Sequence, residues 1–272
     1  MNLPFKARII HLAPISLTLM FSVFCTYFFL FSSTPIYSIT PFTEDPLGIL
    51  GNAIYFVILA CSGATMFFIL LKKKSIRLIT FLTSFAFITA FFTLSLIYTS
   101  AFLSIASSPR FDILLLLSLL ITLLCCLTFF KVKGKAGDLT VLMTGGALGA
   151  FLGVSIPTLS AVLILCFLAV YDMFAVYRGP VGKIAQNGIE RLKGLSVSFR
   201  DVQVGLGDLT FYSMLVGHVF YNYGILPCIA SMVGILLGCF LSFKMLEKNG
   251  IFPGLPLPIF AGLAAVLISV LA

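Results

Sequence analysis

The stretch VGLGDLTFYSMLVG, Val204–Gly217, reads as the start of a membrane-crossing helix, yet it places Asp208 where the apolar run begins. Mean hydropathy over the 272 residues is +1.17 and only 10% of them are charged, so an acid at that position is expensive and calls for a reason. With 60% hydrophobic residues, 29 Phe and no Trp, the chain lies far from the composition of soluble domains. It reads as a polytopic membrane protein.

About 20 apolar residues are needed to cross the hydrocarbon core. Nine runs qualify: 9–31, 48–71, 78–105, 113–130, 139–156, 159–177, 205–221, 225–243 and 251–272. The first is too long for a signal-peptide core and lacks a small-residue cleavage site, so it counts as a helix. The expected fold is all-α, with nine transmembrane helices in one bundle. It divides into helices one to six (1–178), a connector (179–203) and helices seven to nine (204–272).

The net charge of +8 is explained by topology. With a cytoplasmic N-terminus and an exterior C-terminus, 16 of the 17 basic residues fall inside and only Arg110 falls outside. Glu44, Asp45 and Asp112 face out. This is the positive-inside pattern, and it leaves no call for nucleic acid as a partner. All seven Cys lie in the predicted spans without metal-ligand spacing, so neither a disulfide framework, a metal nor a cofactor is expected. His11 and His218 read as packed, hydrogen-bonded residues. Gly145, Gly146, Gly149 and Gly153 form a small-residue face for close helix packing. In the connector, Val181–Leu195 reads equally well as a helix on the membrane surface or as a solvated link.

Seven of the nine acids fall in loops or at their edges, which leaves Asp172 and Asp208 within spans. Asp172 precedes Arg178 at the end of helix six, and Asp208 follows Asp201 on entering helix seven from the same side. At 1.5 Å per residue both lie roughly 10 Å inside the boundary, so antiparallel neighbours can bring the carboxyls together. Two carboxyls at one site do not both ionise cheaply; one keeps a proton and the other becomes a base. An aspartic protease works with such a pair, but so do proton relays and ion pathways. Gly205 and Gly207 flank Leu206 and loosen the helix start, leaving backbone groups free beside Asp208 for an extended peptide.

GLGD comes with Tyr171-Asp172 in LAVYDMFAVYRGP and with Pro253-Gly254-Leu255-Pro256 before the last helix. Together these residues resemble the presenilin family of intramembrane aspartyl proteases, with its YD, GxGD and PAL elements; signal peptide peptidases, the sister branch, look less similar around the motifs. The resemblance covers roughly 160–260, and helices one to five agree only in number and orientation. It implies that Asp172 and Asp208 are the catalytic pair. Pro253, Gly254 and Leu255 would shape the substrate site with Gly205, Leu206, Gly207 and Tyr171. Gly254 stands where the family has Ala, so Gly254→Ala is expected to be tolerated.

The connector is shorter than the loop that is cut in secretase presenilins, which favours an intact single chain. With no N-x-S/T sequon, the compact chain suits a microbial homologue in the cell membrane that needs no partner subunit; homo-oligomerisation stays open. The implied substrates are membrane-spanning proteins or peptides in the lipid bilayer. Two other readings remain: a cation or proton conduit using the same acids, and a noncatalytic scaffold. A transporter would show paired broken helices in related halves, and none is visible. A scaffold gives no reason for two acids at one depth.

Overall fold

The computed structural model describes residues 6–32, 34–73, 75–105, 111–131, 135–177, 196–199, 202–250 and 252–271. The expected surface segment Val181–Leu195 lies outside the described residues. These form nine α-helices: α1 (Ala13–Phe31), α2 (Pro46–Lys72), α3 (Ile76–Ile105), α4 (Phe111–Phe130), α5 (Lys135–Ser155), α6 (Thr158–Tyr177), α7 (Leu206–Tyr223), α8 (Ile225–Asn249) and α9 (Pro256–Leu271). A 3-10 turn, Ile9–Leu12, leads into α1. A hairpin of β1 (Ser196–Phe199) and β2 (Val202–Gly205) precedes α7, with Val197 opposite Val204. The hairpin is an addition to the all-helical expectation, and the last helix starts at Pro256, five residues later than its apolar run. Proline at the first turn suits both α2 and α9, because the amide it lacks would have had no helical partner there.

Helix α7 is the centre of the bundle. It packs on α1, α5, α6, α8 and α9, and every residue from Leu209 to Val219 except Phe211 is buried. Among the described residues, seven helical segments are long and apolar enough to cross a membrane by length and composition. Helix α7 is not among them: enclosed by protein rather than lipid, it accommodates Thr210, Ser213, Gly217 and His218. Helix α9 is short at 16 residues. The lipid-facing character sits on the outer helices, where Phe81, Phe85, Leu116, Leu120 and Leu123 are exposed. The chain is an integral, multi-pass membrane protein.

The glycines of α5 set how close α7 comes. A Cβ on Gly153 would lie 2.5 Å from the Met214 carbonyl oxygen, and one on Gly149 would collide with Ser213 and Thr210. Gly146 looks the other way, 2.9 Å from the Thr18 carbonyl oxygen of α1 by the same measure. So the small residues serve two interfaces, and backbones approach where side chains would hold them apart. His218 is buried and structural: its Nδ1 meets the Gly153 carbonyl at 2.7 Å and its Nε2 the Thr158 hydroxyl at 3.1 Å. Buried His11 takes the Arg8 amide on Nδ1 and sits edge-on to Phe243. Two glycines end helices with positive φ, Gly224 (+87°) between α7 and α8 and Gly250 (+72°) after α8, which lets the chain reverse toward Pro253.

Candidate active site

Strand β2 runs directly into α7, so the backbone is extended up to Gly205 (φ −68°, ψ 141°) and helical from Leu206. Asp208 is the third helical residue, and its carboxyl lies against Gly205 at the helix start. The GLGD spacing thus sets the acid in the first turn, beside the extended backbone that precedes it. Asp172 comes from α6, five residues before the last described residue of that helix.

The segment Phe252–Leu255 is nonhelical, as expected when a proline follows each end of a short stretch. It joins the two acids. The Leu255 amide donates to Asp172 Oδ2 at 3.0 Å, and the Gly254 amide also faces that carboxyl. On its other side Gly254 lies flat on Asp208: a Cβ there would come within 2.5 Å of Oδ2 and 3.0 Å of Cγ. Carboxyls from two helices therefore converge on two adjacent residues, within electrostatic reach of one another.

This close approach bears on one expectation, that Gly254→Ala is tolerated. An alanine at 254 adds little volume, but it adds that volume against the Asp208 carboxyl.

The remaining candidates divide. Gly205 touches Asp208, since a Cβ there would lie 3.4 Å from Oδ2, whereas a Cβ on Gly207 would meet nothing within 4 Å. Gly207 is exposed, so its missing side chain leaves the approach to Asp208 open. Leu206 lays its side chain against Gly145 of α5, which leaves its backbone as the part available to a ligand. Pro253 and Leu255 are buried, and Pro253 walls a cavity of about 110 Å³ that also holds Asp208, Tyr212 and Ser242. Tyr171 is half-buried beside Asp172, but its hydroxyl is hydrogen-bonded with Cys61 of α2.

One residue at the site was not singled out from sequence. The Tyr212 hydroxyl donates to the Gly254 carbonyl at 2.7 Å, tying the loop to α7 one turn beyond Asp208. The signal was available in its i+4 spacing from Asp208, which puts both on one face of the helix. No group of His, Cys, Asp or Glu among the described residues could hold a metal ion.

Residues 19–181 match the family described as signal-peptide peptidase, presenilin aspartyl protease. The chain belongs to that family. The match covers more than half of the 272 residues and includes Tyr171-Asp172. It also extends through helices one to five, where the motifs gave no guidance. Comparison with curated proteins finds no match. The chain is similar to a solved structure of a presenilin family intramembrane aspartate protease in space group C222 (19% identity, TM-score 0.68), covering 96% of this chain and 99% of that one. A structure of a presenilin family intramembrane aspartate protease in space group P2 is similar too, at 18% identity and TM-score 0.64, covering 95% and 97%. The presenilin-type fold thus spans the chain from end to end at low identity.

Proposed function

We propose that this family member hydrolyses peptide bonds of membrane-spanning segments, with Asp172 and Asp208 as the catalytic acids. The observation that carries this reading is their convergence on Gly254-Leu255 from two different helices. In the singly protonated pair, the ionised carboxylate takes a proton from water as the water oxygen bonds to the amide carbon. The protonated partner gives its proton to the carbonyl oxygen. The intermediate collapses when the C–N bond breaks: the nitrogen takes a proton from the pair, and one hydroxyl of the gem-diol returns a proton to the pair, which leaves a carboxyl product and restores the singly protonated pair. No covalent enzyme intermediate and no metal enter the scheme.

The substrate must be extended at the cleaved bond, because helical backbone is hydrogen-bonded and shielded. Strand β2 supports that state. It pairs with β1 on one side and leads straight to Asp208, and no strand among the described residues pairs with its other edge, where a peptide strand would add. Substrate contacts then come from Gly205, the Leu206 backbone, Gly207 and the Pro253–Leu255 loop. On this reading the site faces the cytoplasmic side and the enzyme acts without an obligatory partner subunit.

The test is purified protein incubated with a panel of single-span peptides, read by mass spectrometry. Wild type should yield paired fragments whose masses sum to the peptide plus one water. If no peptide in the panel is cut while the protein carries cations into liposomes in an Asp208-dependent way, the conduit reading replaces this one.

A further inference from the structure

We infer that a cleft enclosed by α1, α3, α4 and α5 holds one acyl chain of a bilayer phospholipid. The inference goes beyond the protease reading and does not depend on it.

The cleft has a volume of about 390 Å³, walled by Phe21, Phe24 and Phe28 of α1, Leu94 of α3, Ile121 of α4 and Met143 of α5. Its floor is buried at Cys25, Leu94, Ser95 and Ala147, and it opens sideways where Phe24 and Leu139 are exposed. Both of these lie in segments apolar enough to cross a membrane, so the opening faces hydrocarbon. An apolar cavity of about 150 Å³ already takes up benzene, with its six carbons; by that ratio this one has room for roughly fifteen carbons. Left empty, its walls would forfeit their dispersion contacts outright.

The hydroxyls in the lining decide what kind of molecule fits. Ser95 meets the Thr122 hydroxyl at 2.8 Å and the Ser118 carbonyl at 3.1 Å. Tyr98 donates to the Ala147 carbonyl at 2.7 Å, Thr140 meets the Thr128 hydroxyl at 3.0 Å, and Thr144 donates to the Thr140 carbonyl at 2.7 Å. All four hydroxyl hydrogens are committed within the protein, and a water needs two to four polar partners, so the cleft is dry and offers nothing to a polar ligand. The same bonds tie α3 to α4 and to α5, and α4 to α5, so the walls are braced against collapse. An apolar chain satisfies every one of these conditions, and the bilayer supplies it at the opening. Leu139 lies near the start of α5, beside the end of α4, where exposed Lys131 offers a cation to the phosphate of the same lipid.

The position gives the chain a task. Thr140, Met143, Thr144 and Ala147 face it, while Gly145, Gly149 and Gly153 lie nearly opposite on α5 and receive α7. The lipid therefore backs the helix against which α7 packs.

The test places the full-length protein in liposomes of phosphatidylethanolamine and phosphatidylglycerol, a minority of the latter carrying a diazirine midway along one acyl chain. Adducts formed on illumination are mapped by mass spectrometry. Wild type should be labelled at Leu94 and Ala147 on the buried floor as well as at Leu116, Leu120 and Leu123, which are exposed to any chain. Ala147→Phe fills the cleft, so labelling of Leu94 should fall roughly tenfold while the three outer leucines keep theirs. Ala147→Leu adds less volume, should give an intermediate loss, and takes the place of Ala147→Phe if that variant does not fold. An unlabelled floor in wild type, or equal Leu94 labelling in the filled variant, would overturn the inference. So would stronger labelling of the floor by a single-span peptide carrying the diazirine, which would make the cleft a peptide pocket. Native mass spectrometry supplies a second reading: released from detergent, wild type should keep one phospholipid and Ala147→Phe none, and equal retention would overturn the inference.

Discussion

Gly254→Ala probes the site at its tightest point. The added Cβ would stand 2.5 Å from Asp208 Oδ2, against about 3.4 Å for an ordinary contact, so the carboxyl must retreat by close to 1 Å. The backbone itself accepts alanine, since Gly254 is not among the glycines with positive φ. Removing a glycine also narrows the unfolded ensemble, so stability should hold within about 1 kcal/mol. Catalysis is another matter. Displacing a reacting group by about 1 Å costs on the order of a hundredfold, and partial relaxation of the carboxyl brings the expected fall in kcat to roughly tenfold to a hundredfold. The assay is steady-state cleavage of a single-span peptide, with thermal unfolding in the same detergent. Gly63→Ala on α2, where a Cβ meets nothing within 4 Å, is the control. Wild-type kcat in Gly254→Ala would refute the reasoning, because Asp208 would then not depend on where Gly254 holds it.

Other outcomes follow from the same geometry. Tyr212→Phe keeps the ring but frees the Gly254 carbonyl; kcat should fall about tenfold with the fold intact, and an unchanged rate would remove the tether from the account. Gly149→Val should cost roughly 1–3 kcal/mol in unfolding experiments, because the side chain enters the α5–α7 contact at Ser213 and Thr210; an unaltered melting temperature would contradict that packing. Rate against pH should be bell-shaped: the base is lost as pH falls through the first ionisation of the pair, and the acid as pH rises through the second. A flat profile over the range where the protein stays folded and chemistry limits the rate would argue against a shared proton.

Much of this arrangement could be read from the residues, and what could not has physical causes. Apolar runs delimit helices because lipid imposes length and composition, and the glycines of α5 announced a close contact because only backbone fits there. The meeting of Asp172 and Asp208 was legible because a carboxylate within a span has few structural uses. Strand β1, SVSF, escaped notice: four mixed residues carry no periodicity, and their pairing is fixed by β2 and by burial of Val197. The contact between Gly254 and Asp208 escaped for a different reason. Motif comparison treats glycine and alanine as neighbours in size, whereas the cost depends on a carboxyl that arrives from a residue 46 positions earlier. Tyr171 shows the converse: adjacency to Asp172 in sequence did not bring its hydroxyl to the carboxyl pair, because successive helical residues point about 100° apart and it meets Cys61 instead.

The most direct test of the central claim is cleavage of a single-span peptide in water enriched in heavy oxygen by wild type, Asp172→Ala and Asp208→Ala. Wild type should release two fragments, with one heavy oxygen atom in the new carboxyl terminus, and each variant should be folded and inactive. Cleavage near the wild-type rate in either folded variant would show that Asp172 and Asp208 are not the catalytic pair.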